Sequence, residues 1–112
     1  MAIALSDRPW PDHPRVFIHR DYHPWNLLWS GGRISGVVDW VEACAGPAGI
    51  DLARLRLNVA VLHGAQVAEG LPSADPYWDL VDLLDGGLDV GCQHQRRLED
   101  YLQLVLNRIS GF

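Results

Sequence analysis

Lysine is missing from this sequence: all nine basic residues are arginine, set against fourteen acidic ones, for a net charge of -5. Without lysine there is no P-loop, whose lysine reaches the nucleotide phosphates, and no Schiff-base chemistry. The shortage of positive charge sets aside nucleic acid as a partner, because phosphate binding rests on a basic surface. Long apolar runs are lacking too. None approaches the ~20 residues of a membrane span, and no charged n-region leads into an apolar h-region, so a cytoplasmic protein without a membrane partner is expected. Cysteine is scarce. Cys44 and Cys92 stand far apart without a CxxC, which reads as two buried free thiols rather than a disulfide.

What is present suits one small globular domain: 112 residues, 48% of them hydrophobic. A chain of this length buries roughly 65% of its unfolded surface, enough for a single modest core. Residues 1–15, with Pro9, Pro11 and Pro14, read as an extended lead-in, and residues 16–112 as the folded part. Val16-Phe17-Ile18 is a short strand-like run ending at His19. A polar loop follows, Arg20 to Trp25. Leu27 to Trp29 and Ile34 to Trp40 then flank Ser30-Gly31-Gly32-Arg33, a hairpin signal. Ala45 to Gly49 breaks regular structure, and from Ile50 the period turns helical, with Leu52, Leu55, Val59 and Leu62 on one face. Asp75-Pro76 predicts a capped helix start running through Leu84, and Gly86-Gly87 a stop. A last helix from near Gln93 carries Leu98, Tyr101, Leu102, Val105 and Ile109 as its inward stripe. The fold class is α+β: a small β-hairpin carrying a loop, then a helical subdomain.

The informative stretch is His19-Arg20-Asp21-Tyr22-His23-Pro24-Trp25-Asn26. It fits H-R-D-x-x-x-x-N, a catalytic loop whose aspartate orients a substrate hydroxyl or accepts its proton, while the asparagine gives an oxygen to magnesium. A second metal ligand should follow, and Asp39 in Val37-Val38-Asp39-Trp40 is the candidate. With Gly31-Gly32 as the central pair of the turn, Asn26 falls opposite Val37, one diagonal step from Asp39. Side chains alternate with period two, so Asn26 and Asp39 would share a face at ~7–8 Å, close enough to share one magnesium ion. Phosphoryl transfer asks for this arrangement, since it needs positioning and nearby cations more than covalent help.

Each of these residues has a plainer role. Asp21 would cap a turn and Asn26 would sit in one; Asp39 at the end of a returning strand favours the chemical reading. His19 reads as structural, holding the loop through hydrogen bonds. His19 and His23 stand i, i+4, but Pro24 denies them a shared helix face and there is no HExxH, so zinc is set aside. The tryptophans read as core or loop packing. Asp79, Asp82, Asp85, Asp89, Glu99 and Asp100 would suit a polyamine, although their spacing is that of a solvated helix face.

Three motifs, Ile18 to Leu28, Ile34 to Trp40 and Gly46 to Ala53, resemble in their order the aminoglycoside phosphotransferase family. That family is a branch of the protein-kinase-like superfamily, with choline and homoserine kinases. The resemblance runs from Phe17 to about Ala53, near a third of the chain. It implies a protein-kinase-like C-terminal lobe that moves the γ-phosphoryl group of ATP, with Mg2+, to a hydroxyl of a small molecule. It implies Asp21 as catalytic base or orienter, Asn26 and Asp39 as metal ligands, and His19 and Asp51 as supports of the loop. Judged from its position alone, Asp51 is a carboxylate that favours a helix N-terminus. Two departures stand out. Trp25 occupies a position where members usually carry a small residue, and no strand-borne lysine, partner glutamate or Gly-rich nucleotide loop precedes Phe17.

The leading expectation is thus a truncated phosphotransferase lobe with little activity alone. The alternative is a non-catalytic remnant that binds a ligand or partner. The acceptor is an aminoglycoside, a choline-like compound or another small alcohol. A lobe without its partner would expose apolar surface, so a homodimer is expected, with the apolar Met1 to Leu5 exchanged across a Pro-rich hinge.

Overall fold

The computed structural model describes residues 13–84 and 95–110. In chain order it holds β1 (Val16–Ile18), a 3-10 turn (Pro24–Asn26), β2 (Leu27–Ser30), β3 (Arg33–Val37) and β4 (Cys44–Gly46). Four helices follow among the described residues: α1 (Ala48–His63), α2 (Ala65–Glu69), α3 (Pro76–Asp82) and α4 (Gln95–Ser110). The architecture is α+β, with short strands ahead of helices. No helix among the described residues is long and apolar enough to cross a membrane.

The strands form two small antiparallel sheets, β1 with β4 and β2 with β3. Pairing β1 to β4 sets Ile18 beside Cys44, so the strand entering the H-R-D loop is tied to the segment leading into α1. Gly46 makes that closeness possible: a Cβ there would lie 2.8 Å from Ile18 Cδ1. Gly49, in the first turn of α1, is tighter still, since a Cβ would come within 2.3 Å of Trp78 Cδ1. Cys44 is a free thiol, only half-buried rather than buried as expected; Cys92 and the Gly86-Gly87 stop lie outside the described residues.

Helix α1 organises the core. Leu57, Ala60 and Val61 pack with Ala68, Leu80, Leu83, Leu98, Tyr101 and Val105, and Ala53 packs with Tyr77 and Trp78. The expected inward face of α1 needs correction. Leu52, Leu55, Val59 and Leu62 are only half-buried, with Val59 packed against the core, and the buried residues are Gly49, Ala53, Arg56-Leu57-Asn58 and Ala60-Val61. The reason is Arg56: a charge marks a solvent face in any periodicity argument, yet this one is 2% exposed. Helices α3 and α4 follow expectation. Asp75 caps α3 by accepting from the Tyr77 N–H at 2.8 Å, with Pro76 at the first position. The inward residues of α4 include the buried Leu98, Tyr101 and Val105.

A buried charge network joins the helices. Arg56 Nη1 donates to the Ala68 and Leu71 carbonyls at 2.8 and 3.0 Å, and its Nε to Asp79 Oδ1 at 3.3 Å. Tyr101 donates to the same oxygen, and Arg108 Nη1 to Asp79 Oδ2, each at 3.3 Å. Asp79 is therefore not part of a solvated face; it is 3% exposed. Burial pushes its carboxyl up from the usual carboxylate range, against the pull of Arg56 and then Arg108. Burial, seconded by the Asp79 charge, pushes the Tyr101 hydroxyl up as well. Asp82 is half-buried and pairs with Arg54 at 3.0 Å.

Candidate active site

The H-R-D stretch leaves β1 and doubles back through the 3-10 turn into β2. Arg20 takes φ 72, a left-handed conformation uncommon for a residue with a Cβ. Asp51 accounts for that choice. Its Oδ2 accepts the His19 N–H at 2.7 Å and its Oδ1 the Arg20 N–H at 2.8 Å. One carboxylate in the first turn of α1 thus grips two successive amides of the loop.

His19 is buried and completes the scaffold. Its Nδ1 accepts the Asp21 N–H at 3.0 Å, so its Nε2 carries the hydrogen and donates to the Val38 carbonyl at 2.7 Å. With both nitrogens engaged by backbone, the ring binds loop to hairpin and has no vacancy for proton transfer. Trp40 flanks it at 4.6 Å between centroids and stacks on Phe17 at 5.5 Å.

Asp21 and Asn26 come together. Asn26 Nδ2 donates to the Asp21 carbonyl at 2.8 Å and to Asp21 Oδ2 at 3.3 Å. Because the amide nitrogen faces Asp21, the amide oxygen is left for another partner. Asn26 is buried; Asp21 is half-buried.

Asp39 is where the hairpin argument fails. The turn forms as expected, with Gly31 and Gly32 at φ 59 and 76 and Ser30 opposite Arg33. Trp29 then pairs with Ile34 but Leu28 with Gly36, so Ser35 is an extra residue that slips the register by one. Asn26 consequently lies across from Val38, whose N–H it accepts at 2.9 Å, and not from Val37. Strand β3 also ends at Val37 rather than Trp40, and Asp39 has φ 63. Period-two alternation cannot be carried through a left-handed residue, so parity does not assign Asp39 a face. Its carboxylate is exposed two residues beyond β3.

Two groups escaped the sequence reading. From its spacing His23 reads only as a rejected zinc ligand, yet its Nε2 lies 3.2 Å from Asp21 Oδ1. Its place two residues after Asp21 was a usable signal. The Arg56–Asp79 pair had none, being 23 residues apart on separate helices. Of the tryptophans, Trp78 is core and Trp40 packs the loop, but Trp25 and Trp29 are mostly exposed, contrary to their expected packing role. Among the described residues no cluster of three or more His, Cys, Asp or Glu could hold a metal.

The chain matches known proteins over part of its length. The chain is 43% identical over 52 residues to a homoserine kinase of Chelativorans sp. (strain BNC1), covering 46% of this chain and 16% of that relative. It is 49% identical over 45 residues to the homoserine kinase of Methylocella silvestris, covering 39% and 14%. A third, from Parvibaculum lavamentivorans, is 40% identical over 52 residues, covering 46% and 16%. The aligned stretch thus spans 14–16% of the length of these relatives. No solved structure gives a significant match. The description "Phosphotransferase enzyme family" fits residues 2–84, which include every loop residue discussed above, and the chain belongs to that family.

Proposed function

We propose that the chain carries the acceptor-side and metal-binding part of an ATP-dependent kinase site, in a lobe of protein-kinase-like fold. The observation that carries this reading is the backbone cradle around Asp21, built by Asp51 and His19 and closed by Asn26. Such a cradle fixes the backbone that carries one carboxylate, which is what an in-line displacement asks of the residue beside its nucleophile. Asp21 takes the hydroxyl hydrogen as the acceptor oxygen bonds to the γ-phosphorus and the bond to ADP breaks. Asn26 Oδ1 and the Asp39 carboxylate are hard oxygen donors, the set magnesium prefers, and would hold Mg2+. The cation, when bound, neutralises charge building on the phosphate oxygens. Homoserine is the first acceptor to try, because the relatives bear that name; an aminoglycoside is the second.

The test is 31P NMR of the chain with ATP, Mg2+ and homoserine. A weak phosphomonoester signal, built up over long incubation because little activity is expected of this lobe alone, should be removed by Asp21→Asn, and a signal that survives Asp21→Asn refutes the assignment. Metal binding has its own readout. Mn2+ titration followed by EPR should weaken at least tenfold in Asn26→Ala and in Asp39→Asn, the scale of losing one ligand or its support. One observation favours a second reading, a module that binds without catalysis: the chain has no lysine to hold nucleotide phosphates. Calorimetry with Mg2+-ATP separates the two, since micromolar affinity speaks for catalysis and silence for the module.

A further inference from the structure

One side chain without an assigned role touches the reacting carboxylate. His23 Nε2 lies 3.2 Å from Asp21 Oδ1 and 3.4 Å from Asn26 Nδ2. The Asn26 amide hydrogens are committed to the Asp21 carbonyl and to Asp21 Oδ2. Nε2 therefore faces Oδ1 within ion-pair distance, and the two oxygens of Asp21 lie against different residues, Asn26 at Oδ2 and His23 at Oδ1. The other ring nitrogen, Nδ1, is buried with no hydrogen-bond partner among the described residues, so the polar contacts of the ring all run through Nε2. Behind the ring stands Trp25, edge-on at 5.7 Å between centroids and 65% exposed. Pro24, at the start of the 3-10 turn, stiffens the backbone between them.

We propose that His23 is a positioning residue that fixes the rotation of the Asp21 carboxylate, with Trp25 as the backing of its ring. A carboxylate turns easily about its last bond, since that torsion is broad and two-fold. With Asn26 alone at Oδ2 it could still swing; a second contact at Oδ1 leaves one orientation. The catalytic part of this inference rests on Asp21 being the residue that orients the acceptor. It also gives Trp25 a use: a small residue there would leave the His23 ring unsupported on its solvent side.

The experiment begins with NMR of the labelled chain, which needs no turnover. His23→Ala should move the Asn26 side-chain amide and Asp21 carboxyl signals, while the His19 and Arg20 amides, held by Asp51, stay in place. His23→Gln, whose amide nitrogen reaches about where Nε2 sits, should restore them. In the ATP, Mg2+ and homoserine assay, His23→Ala should lower kcat about 10- to 100-fold, as expected of a misplaced group. KM should stay within about twofold, because ground-state binding is untouched. Unmoved Asn26 and Asp21 signals in His23→Ala overturn the inference, whatever the turnover. So does unchanged kcat in a chain whose turnover Asp21→Asn abolishes. Turnover that survives Asp21→Asn instead overturns the role of Asp21, and the NMR still judges the clamp.

Discussion

Arg20 and Asp51 show how a single backbone angle is held in place. A left-handed residue with a Cβ costs roughly 1–2 kcal/mol, and the two amide bonds to Asp51 offset it. Asp51→Ala should therefore destabilise the chain by about 2–3 kcal/mol, because charge-assisted bonds to partly exposed amides are lost and the strain stays. Urea unfolding checks this, and faster hydrogen exchange at His19 and Arg20 should accompany it. Arg20→Gly should act the other way, gaining about 0.5–1 kcal/mol once the greater freedom of glycine when unfolded is deducted. Asp79 makes a pH prediction. Its folded pKa is raised by burial, so the folded chain holds that proton more tightly than the unfolded one. The stability from this group is complete below the unfolded value of ~3.9 and is lost as pH rises through the folded value. Between pH 4 and 7 the urea midpoint of the parent should thus fall relative to Asp79→Asn, which does not titrate. A difference that stays flat across that range refutes the shift.

At the scale of elements, the site depends on how α1 begins. Its first turn brings Asp51 under the loop, and Gly49 in the same turn lets Trp78 of α3 lie against the helix. Gly49→Ala forces a methyl into the indole and should cost about 1–3 kcal/mol, the usual penalty of overpacking. Thermal unfolding measures it. A Tm unchanged by that substitution would mean that α3 yields freely. The hairpin illustrates the other device. Its turn was readable from Gly31-Gly32, but the bulge at Ser35 was not, because Ile-Ser-Gly carries no mark of an unpaired residue. That one residue decides which strand position meets Asn26.

For the whole molecule, apolar exposure is uneven. Nine of the eleven large exposed hydrophobic residues among the described ones lie between Val16 and Val41, including Phe17, Trp29, Ile34 and Val41. The helical part contributes only Val67 and Leu84. Soluble monomers seldom expose contiguous apolar surface beyond a few hundred Å2, and we propose that a second copy covers part of it. Light scattering across a concentration series should show mass rising above the monomer, and Trp29→Asp with Ile34→Asp should return it to the monomer value. A monomer mass held to high micromolar concentration rules this dimer out. The expected exchange of Met1 to Leu5 lies outside the described residues.

Local chemistry was legible without coordinates. The H-R-D-x-x-x-x-N spacing, the glycine turn, the capped start of α3 and the stripe of α4 each depend on residues within a turn or two of one another, so their order specifies them. Asp51 was readable as a brace only through its resemblance, since 32 residues separate it from His19. The tertiary structure decided the rest. It buried Arg56 against Asp79, where pairing and hydrogen bonds across helices offset the desolvation cost of a charge. It also slipped the hairpin by one residue, and it laid His23 against Asp21, because distances of about 3 Å between side chains are set by how the loop is held and not by spacing along it.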